Sequence, residues 1–89
     1  MSEHETHVTW QGVIDSRPMV MDEDPEHITF RMRSAGGQYL EVFVPTALIR
    51  RTPELFGQGR HIAIAGETIL PGESPQTPIL VFADTAKAG

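Results

Sequence analysis

The alternation of apolar and polar residues predicts two adjacent strands in the first half of the chain. In residues 27–34, "HITFRMRS", and 38–44, "QYLEVFV", every second residue is apolar, and the turn sequence "AGG" separates the two runs. A period of two is typical of a strand with one buried face. The inward set is therefore predicted to be Ile28, Phe30, Met32, Leu40, Val42 and Val44.

Three further strands are predicted at the two ends of the chain. The segment 7–21 begins with alternating residues and is interrupted by Gly12, and a glycine inside a strand often marks a bend or bulge. The segments 60–70 and 77–86 form two more strands, joined by the loop sequence "PGESPQ". Before the second strand, "DEDPE" at 22–26 is predicted to be a polar turn.

The segment 46–59, "TALIRRTPELFGQG", predicts one short helix. Thr52 can cap this helix, Pro53 and Glu54 suit its first turn, and Gly57 and Gly59 can end it. The element order is then three strands, a helix and two strands.

This element order predicts a closed all-β fold. A chain of 89 residues buries only about 60–65% of its unfolded surface, so five strands cannot leave an apolar face open. The predicted architecture is a five-stranded Greek-key barrel, the OB fold, with one short helix between strands three and four. One domain is expected over residues 7–86, with a flexible tail at 1–6 and a C-terminal tail at 87–89.

The outward residues of the second and third strands form the candidate binding face. Arg31 and Arg33 must share this face with Tyr39 and Phe43, whether Arg33 lies opposite Tyr39 or Arg31 does. Aromatic rings stack on unpaired bases and arginines neutralise phosphates, so the face suits single-stranded nucleic acid. The candidate set is completed by His27 and Thr29 on the same strand and by Arg50, Arg51 and Arg60 flanking the helix.

A structural role for these residues is the alternative. Arg31 and Glu41 can form a cross-strand ion pair, the rings can simply cover the sheet, and the arginines near the helix can be solvated surface charges. The net charge of −5 opposes nucleic-acid binding at first sight. Half of the acids, however, lie in the leading tail and in "DEDPE", which leaves the rest of the chain close to neutral.

The sequence favours a protein without catalysis, cofactor or metal. It contains no cysteine, no nucleophile with a base at a recognisable spacing and no calcium-loop pattern, and "HETH" at 4–7 is not a zinc-protease motif. The polar start "MSEHETHVTW" is unlike a signal peptide, and no apolar run approaches the roughly 20 residues of a membrane span. A cytoplasmic location without membrane contact is expected.

The chain resembles the bacterial single-stranded-DNA-binding protein family, which includes its shorter relative primosomal replication protein N (PriB). The opening "HVTWQGVIDSRP" matches the family's first strand at Val8, Trp10, Gly12, Ile14 and Pro18. The later block matches at Tyr39, Val42, Glu54, Gly59, Ile62, Ile64 and Gly66, and "ILVFADTA" matches the closing strand loosely. The resemblance implies a base-stacking position at Tyr39, a core position at Trp10, and a homodimer formed through the first strand.

Three departures from the family pattern leave two hypotheses. The hairpin after the second strand is short, the family's acidic C-terminal tail is missing, and "DEDPE" would repel phosphate. The first hypothesis is a non-enzymatic single-stranded-DNA-binding protein of replication, repair or plasmid or phage DNA metabolism, with a replication or repair protein as a further partner and with RNA not distinguished from DNA. The second is a protein-interaction OB module or accessory subunit that does not bind nucleic acid. Beyond these two, an oligosaccharide or RNA ligand on the same face stays open.

Overall fold

The computed structural model describes residues 7–21, 23–70 and 78–89. This part of the chain contains six strands, one α-helix and one turn of 3-10 helix. In chain order they are β1 (His7–Ile14), β2 (Met19–Met21), β3 (Asp24–Ser34), β4 (Tyr39–Pro45), α1 (Thr46–Arg51), the 3-10 turn (Pro53–Phe56), β5 (His61–Ile69) and β6 (Ile79–Ala88).

The strands form one sheet that closes on itself. Their order is β1-β5-β6-β4-β3-β2, and β1 also pairs with β3, which completes a barrel of β1, β3, β4, β6 and β5. All pairs are antiparallel except β4 with β6, which is parallel. These five strands correspond to the five predicted from the sequence, and the OB fold is confirmed. The short β2 is an addition on the edge of β3.

Gly12 allows β1 to belong to both halves of the barrel. It pairs with Ser34 of β3 and with Ile62 of β5. A Cβ atom at this position would lie 2.1 Å from the carbonyl oxygen of Arg33, so no larger residue fits without moving the backbone. The bend predicted at this glycine is therefore a point of close backbone approach.

The core lies between the inner faces of the strands. Phe30, Met32, Leu40, Val42 and Val44 are buried as predicted, and Ile28 is half-buried. They pack with a second group from β1, the 3-10 turn, β5 and β6, which comprises Ile14, Phe56, Ile62, Ile64, Ile79, Val81 and Ala83.

Trp10 belongs to the core side of the barrel and not to its outer face. It packs against the core cluster, and its indole N–H donates a hydrogen bond of 3.0 Å to the hydroxyl of Thr68. Thr68 is itself only 4% exposed, so this bond satisfies a donor and an acceptor inside the barrel wall.

The helix predicted to start after Thr52 is present only as a 3-10 turn, and the α-helix lies before it. The α-helix occupies Thr46–Arg51, and the Thr52 hydroxyl donates a hydrogen bond of 3.5 Å back to the Leu48 carbonyl and does not cap the following turn. Pro53 lacks the N–H that would continue the α-helix, so the chain resumes there as a single 3-10 turn. That turn delivers Phe56 to the core, where its ring meets Phe30 edge-on at 6.0 Å.

Two element boundaries also differ from the sequence prediction. Asp24 and Glu26 belong to β3 and not to a loop, because β2 pairs with β3 and moves the turn back to Glu23. At the other end β6 continues to Ala88 and pairs with the start of β5, so residues 87 and 88 are not a tail. The predicted tail at 1–6, which includes most of "HETH", and the loop "PGESPQ" lie outside the described residues.

Candidate nucleic-acid interface

The pairing of β3 with β4 settles which outward side chains are neighbours. Arg33 lies opposite Tyr39, which is the first of the two registers considered from the sequence. Because β2 also pairs with β3 and β4 with β6, the outward residues of these four strands lie side by side across the barrel. We call the outward residues of β3 and β4 the β3–β4 face, and its paired residues are Arg33 with Tyr39, Arg31 with Glu41, and Thr29 with Phe43.

Arg33 and Tyr39 form the exposed end of the β3–β4 face. The guanidinium carbon of Arg33 lies 5.1 Å from the ring centroid of Tyr39, and its Nη2 donates a hydrogen bond of 2.7 Å to the Tyr39 hydroxyl. The geometry combines a cation–π contact with a hydrogen bond, and it fixes the orientation of both side chains. Tyr39 remains 48% exposed. An oriented, exposed ring beside a cation is suited to stacking on a base next to a phosphate.

Glu41 occupies the middle of the β3–β4 face, and its carboxylate makes this face less positive. Its Oε2 accepts a hydrogen bond of 2.8 Å from the Thr29 hydroxyl, and its Oε1 lies 4.0 Å from Nη2 of Arg31. The cross-strand ion pair considered from the sequence is therefore present, but it is long and its arginine is 57% exposed. Such pairs contribute little to stability, and donors of Arg31 remain available for a ligand.

Phe43 is less accessible than the sequence suggests because another ring covers it. Phe82 of β6 lies beside it in the parallel register, with ring centroids 5.0 Å apart and an angle of 16° between the planes. Phe43 is half-buried, whereas Phe82 is 41% exposed. Phe82 was not selected from the sequence. It lies between Val81 and Ala83, which are both buried, and the alternation along a strand therefore places its side chain outward.

His27 contacts a carboxylate instead of the aromatic rings. Its Nδ1 lies 2.8 Å from Oδ2 of Asp24, three residues earlier on β3. Its partner on β4 is Pro45, at the opposite end of the strand pair from Tyr39. The structure thus separates His27 from the Arg33–Tyr39 contact.

The three arginines near the helix lie outside β3 and β4. Arg50 and Arg51 form the last turn of α1, and Arg60 precedes β5. All three are exposed, and within the described ranges their side chains make no hydrogen bond or ion pair. A continuous phosphate track through these positions stays a prediction.

Two open cavities flank Arg31, and both use residues that sequence reasoning did not select. One, of about 350 Å³, lies between Asp15, Arg31, Tyr39 and Pro78. The other, of about 260 Å³, is lined by residues that include Ser16, Arg17, Met19, Thr29, Arg31 and Glu41. The segment between β1 and β2 therefore adds one cation and one carboxylate to the edge of the β3–β4 face. This segment has no sequence periodicity from which its position beside β3 could have been predicted.

The region as a whole is only weakly positive. Three arginines, at positions 17, 31 and 33, face two carboxylates, at positions 15 and 41. In the part of the chain that the structure describes, no group of three histidine, aspartate or glutamate side chains could hold a metal ion. No helix of that part is long and apolar enough to cross a membrane.

Comparison with known proteins finds similarity in structure only. No family model matches the chain, and no curated protein sequence does. Among solved structures, the second single-stranded-DNA-binding protein (SSBb) of Mycobacterium smegmatis matches with a TM-score of 0.68 at 21% identity, over 96% of this chain and 87% of that one. The small single-stranded-DNA-binding protein of Streptomyces coelicolor gives 0.67 at 12% identity, over 93% and 91%.

A third similar structure is the dimeric N-terminal domain of PriB from Thermoanaerobacter tencongensis. Its TM-score is 0.63 at 16% identity, and the match covers 92% of this chain and 93% of that domain. All three similarities span nearly the whole chain, and their low identities limit them to the fold. The chain has an OB fold of the kind found in small single-stranded-DNA-binding proteins and PriB, as the sequence resemblance predicted.

Proposed function

We propose that this protein binds single-stranded DNA on the β3–β4 face. The observation that carries the proposal is the contact between Arg33 and Tyr39, which holds an exposed ring and a cation side by side. Support also comes from the fold, because two of the similar structures are described as single-stranded-DNA-binding proteins. On this proposal the protein acts by binding, without chemistry, in replication, repair or plasmid or phage DNA metabolism.

The arrangement of charges indicates how the DNA is held. A base stacks on Tyr39 while its phosphate contacts Arg33, which has no carboxylate partner among the described residues. Arg17 offers a second cation on the far side of Arg31. With two to three phosphate contacts, log affinity falls with log salt at a slope of about −1.4 to −2.1. Binding is thus expected to be modest, and its affinity should fall only about 7- to 18-fold between about 50 and 200 mM salt.

The decisive experiment measures anisotropy of a fluorescein-labelled dT oligonucleotide at two salt concentrations. Trp10 is unsuitable as a reporter because its indole is bonded to Thr68 in the barrel wall. Tyr39→Ala should weaken binding by about 1–3 kcal/mol, or about 5- to 150-fold. Tyr39→Phe is the matched control, because it keeps the ring and loses only the hydroxyl that Arg33 contacts. Absence of binding by the wild-type protein at low salt would refute the proposal.

We also propose that the protein forms a homodimer through β1. This strand pairs with β5 from His7 to Val13 but with β3 only from Gly12, so its first residues have a free edge within the described part of the chain. Free edges pair readily with other strands, and the similar PriB domain is dimeric. Light scattering coupled to gel filtration measures the assembly, and a monomer at all concentrations contradicts this proposal.

A protein-interaction module is the second candidate. It is favoured by exposed apolar side chains on β5, β6 and the loop that follows β5, namely Ile69, Leu70 and Phe82. On this alternative a partner covers the stacked rings, and the acidic sequence "DEDPE" attracts its basic groups. A protein that ignores labelled DNA and RNA but co-purifies with one stoichiometric partner supports it. A parallel titration with labelled RNA separates the two nucleic acids.

A further inference from the structure

We propose that the cavity between Asp15, Arg31 and Tyr39 selects guanine among the bases of a bound single strand. We call it the Asp15 cavity. The inference rests on the proposed DNA-binding function and adds a base preference to it. Stacking and phosphate contacts alone tolerate any base, so a preference requires groups that read base edges.

Backbone contacts hold Asp15 and Arg31 next to each other. The Asp15 N–H donates a hydrogen bond of 2.7 Å to the Arg31 carbonyl, and the Arg31 N–H donates one of 2.8 Å to the Ser16 hydroxyl. These two bonds fix the segment after β1 along the edge of β3. A carboxylate and a guanidinium therefore border the same cavity of about 350 Å³, and Tyr39 and Pro78 also line it among the described residues. This volume is at the lower end of the range for small-ligand sites.

The carboxylate of Asp15 has no role in phosphate binding, because it carries the same sign of charge as phosphate. Within the described residues its side chain makes no hydrogen bond and no ion pair, and it is exposed beside the proposed path of the strand. Glu41 differs, because the Thr29 hydroxyl already donates to it at 2.8 Å. A free carboxylate repels phosphate, but it accepts hydrogen bonds from base N–H groups. Asp15 is therefore suited to reading a base edge.

Guanine matches this pair of side chains better than the other bases do. It carries two adjacent donors, N1–H and the N2 amino group, which a carboxylate can accept together. Its O6 and N7 are acceptors for a guanidinium, and arginine with these atoms is the commonest specific contact to a base. Thymine has a single N–H donor, and adenine and cytosine each offer one amino group to the carboxylate. Tyr39 supplies the stacking surface for the purine ring.

The test compares oligonucleotides of equal length by anisotropy: all-dT, alternating dT and dG, and alternating dT and deoxyinosine. Wild-type protein should bind the dG oligonucleotide at least about tenfold more tightly than all-dT, because the bidentate contact to Asp15 is gained and O6 and N7 can accept from Arg31. Deoxyinosine lacks the N2 amino group and should lose most of this gain. Asp15→Asn should reduce the ratio of the dG to the dT affinity towards one. Glu54→Gln, an exposed acid in the 3-10 turn, is the charge-matched control and should keep the ratio.

The outcomes separate this inference from the function on which it rests. Equal and salt-sensitive binding of all three oligonucleotides overturns the guanine preference and leaves the DNA-binding proposal intact. A preference that survives Asp15→Asn also overturns it, since another group must then read the base. Failure to bind any oligonucleotide removes both proposals together.

Discussion

Replacing Glu41 by glutamine is expected to strengthen the binding of single-stranded DNA. The substitution keeps the shape of the side chain, and the amide oxygen can still accept the hydrogen bond from the Thr29 hydroxyl, which is 2.8 Å long. It removes the negative charge whose Oε1 lies 4.0 Å from Nη2 of Arg31. In a complex with all-dT, where no guanine engages its guanidinium, Arg31 then contacts phosphate without a competing carboxylate on β4.

The size of the effect follows from the distances. A phosphate oxygen bonded to Arg31 adds about 3 Å to the 4.0 Å separation, which places the phosphate about 7 Å from the Glu41 carboxylate. Repulsion between unit charges at that distance is about 0.6 kcal/mol at the dielectric constant of water and about 2.4 kcal/mol at an effective value of 20. Affinity should therefore rise by about 3- to 60-fold at low salt.

The assay is the anisotropy titration with labelled dT at about 10 mM salt, where the Debye length of about 30 Å leaves the repulsion unscreened. Glu54→Gln, which removes the same charge from the 3-10 turn, controls for the change in net charge and should leave affinity nearly unchanged. The stability of Glu41→Gln should fall by no more than about 1 kcal/mol, because the ion pair is long and solvated. A folded Glu41→Gln protein that binds no better than wild type, or as much better as Glu54→Gln, would show that DNA does not contact the β3–β4 face.

Two further expectations concern stability. Gly12→Ala should destabilise the barrel by about 1–3 kcal/mol or more in urea unfolding, because its Cβ would lie 2.1 Å from the Arg33 carbonyl oxygen. Gly57→Ala is the matched control, since its nearest neighbour would be 3.5 Å away, and a comparable loss there would contradict the reasoning. Thr68→Val should cost about 1–3 kcal/mol and change the tryptophan emission, because the Trp10 indole N–H loses its acceptor. Unchanged emission and stability would mean that water replaces the hydroxyl.

The sequence predicted most of the barrel because burial on a strand has a strict period. The inward residues of β3 and β4 alternate without interruption, and this alternation also determined which residues face outward. The register between the strands was left with two alternatives, because a shift by two residues keeps every side chain on its own face. The turn "AGG" and the tertiary pairing select the one in which Arg33 lies opposite Tyr39.

The parts that were missed depend on contacts between distant segments. The partner of Phe43 is Phe82, almost forty positions later, and only the parallel pairing of β4 with β6 brings the two rings together. Asp15 and Arg17 reach the site through an irregular segment whose position is set by hydrogen bonds to the β3 backbone. The α-helix at Thr46–Arg51 was missed because Thr52 and Pro53 are typical of a helix start, and the turn that they begin is a 3-10 turn.

The last strand in chain order, β6, lies in the centre of the sheet, so the newly synthesised chain is prone to aggregate until β6 is in place. This strand lies between β4 and β5, so a chain synthesised or cleaved short of Ile79 leaves both of them with bare edges. Bare edges recruit strands of other molecules, which leads to aggregation. Because closure joins segments far apart in sequence, folding is expected to take milliseconds to seconds. Co-expression of a chaperone or a low expression temperature should therefore improve recovery of this protein, because both protect a chain whose strand edges are still bare.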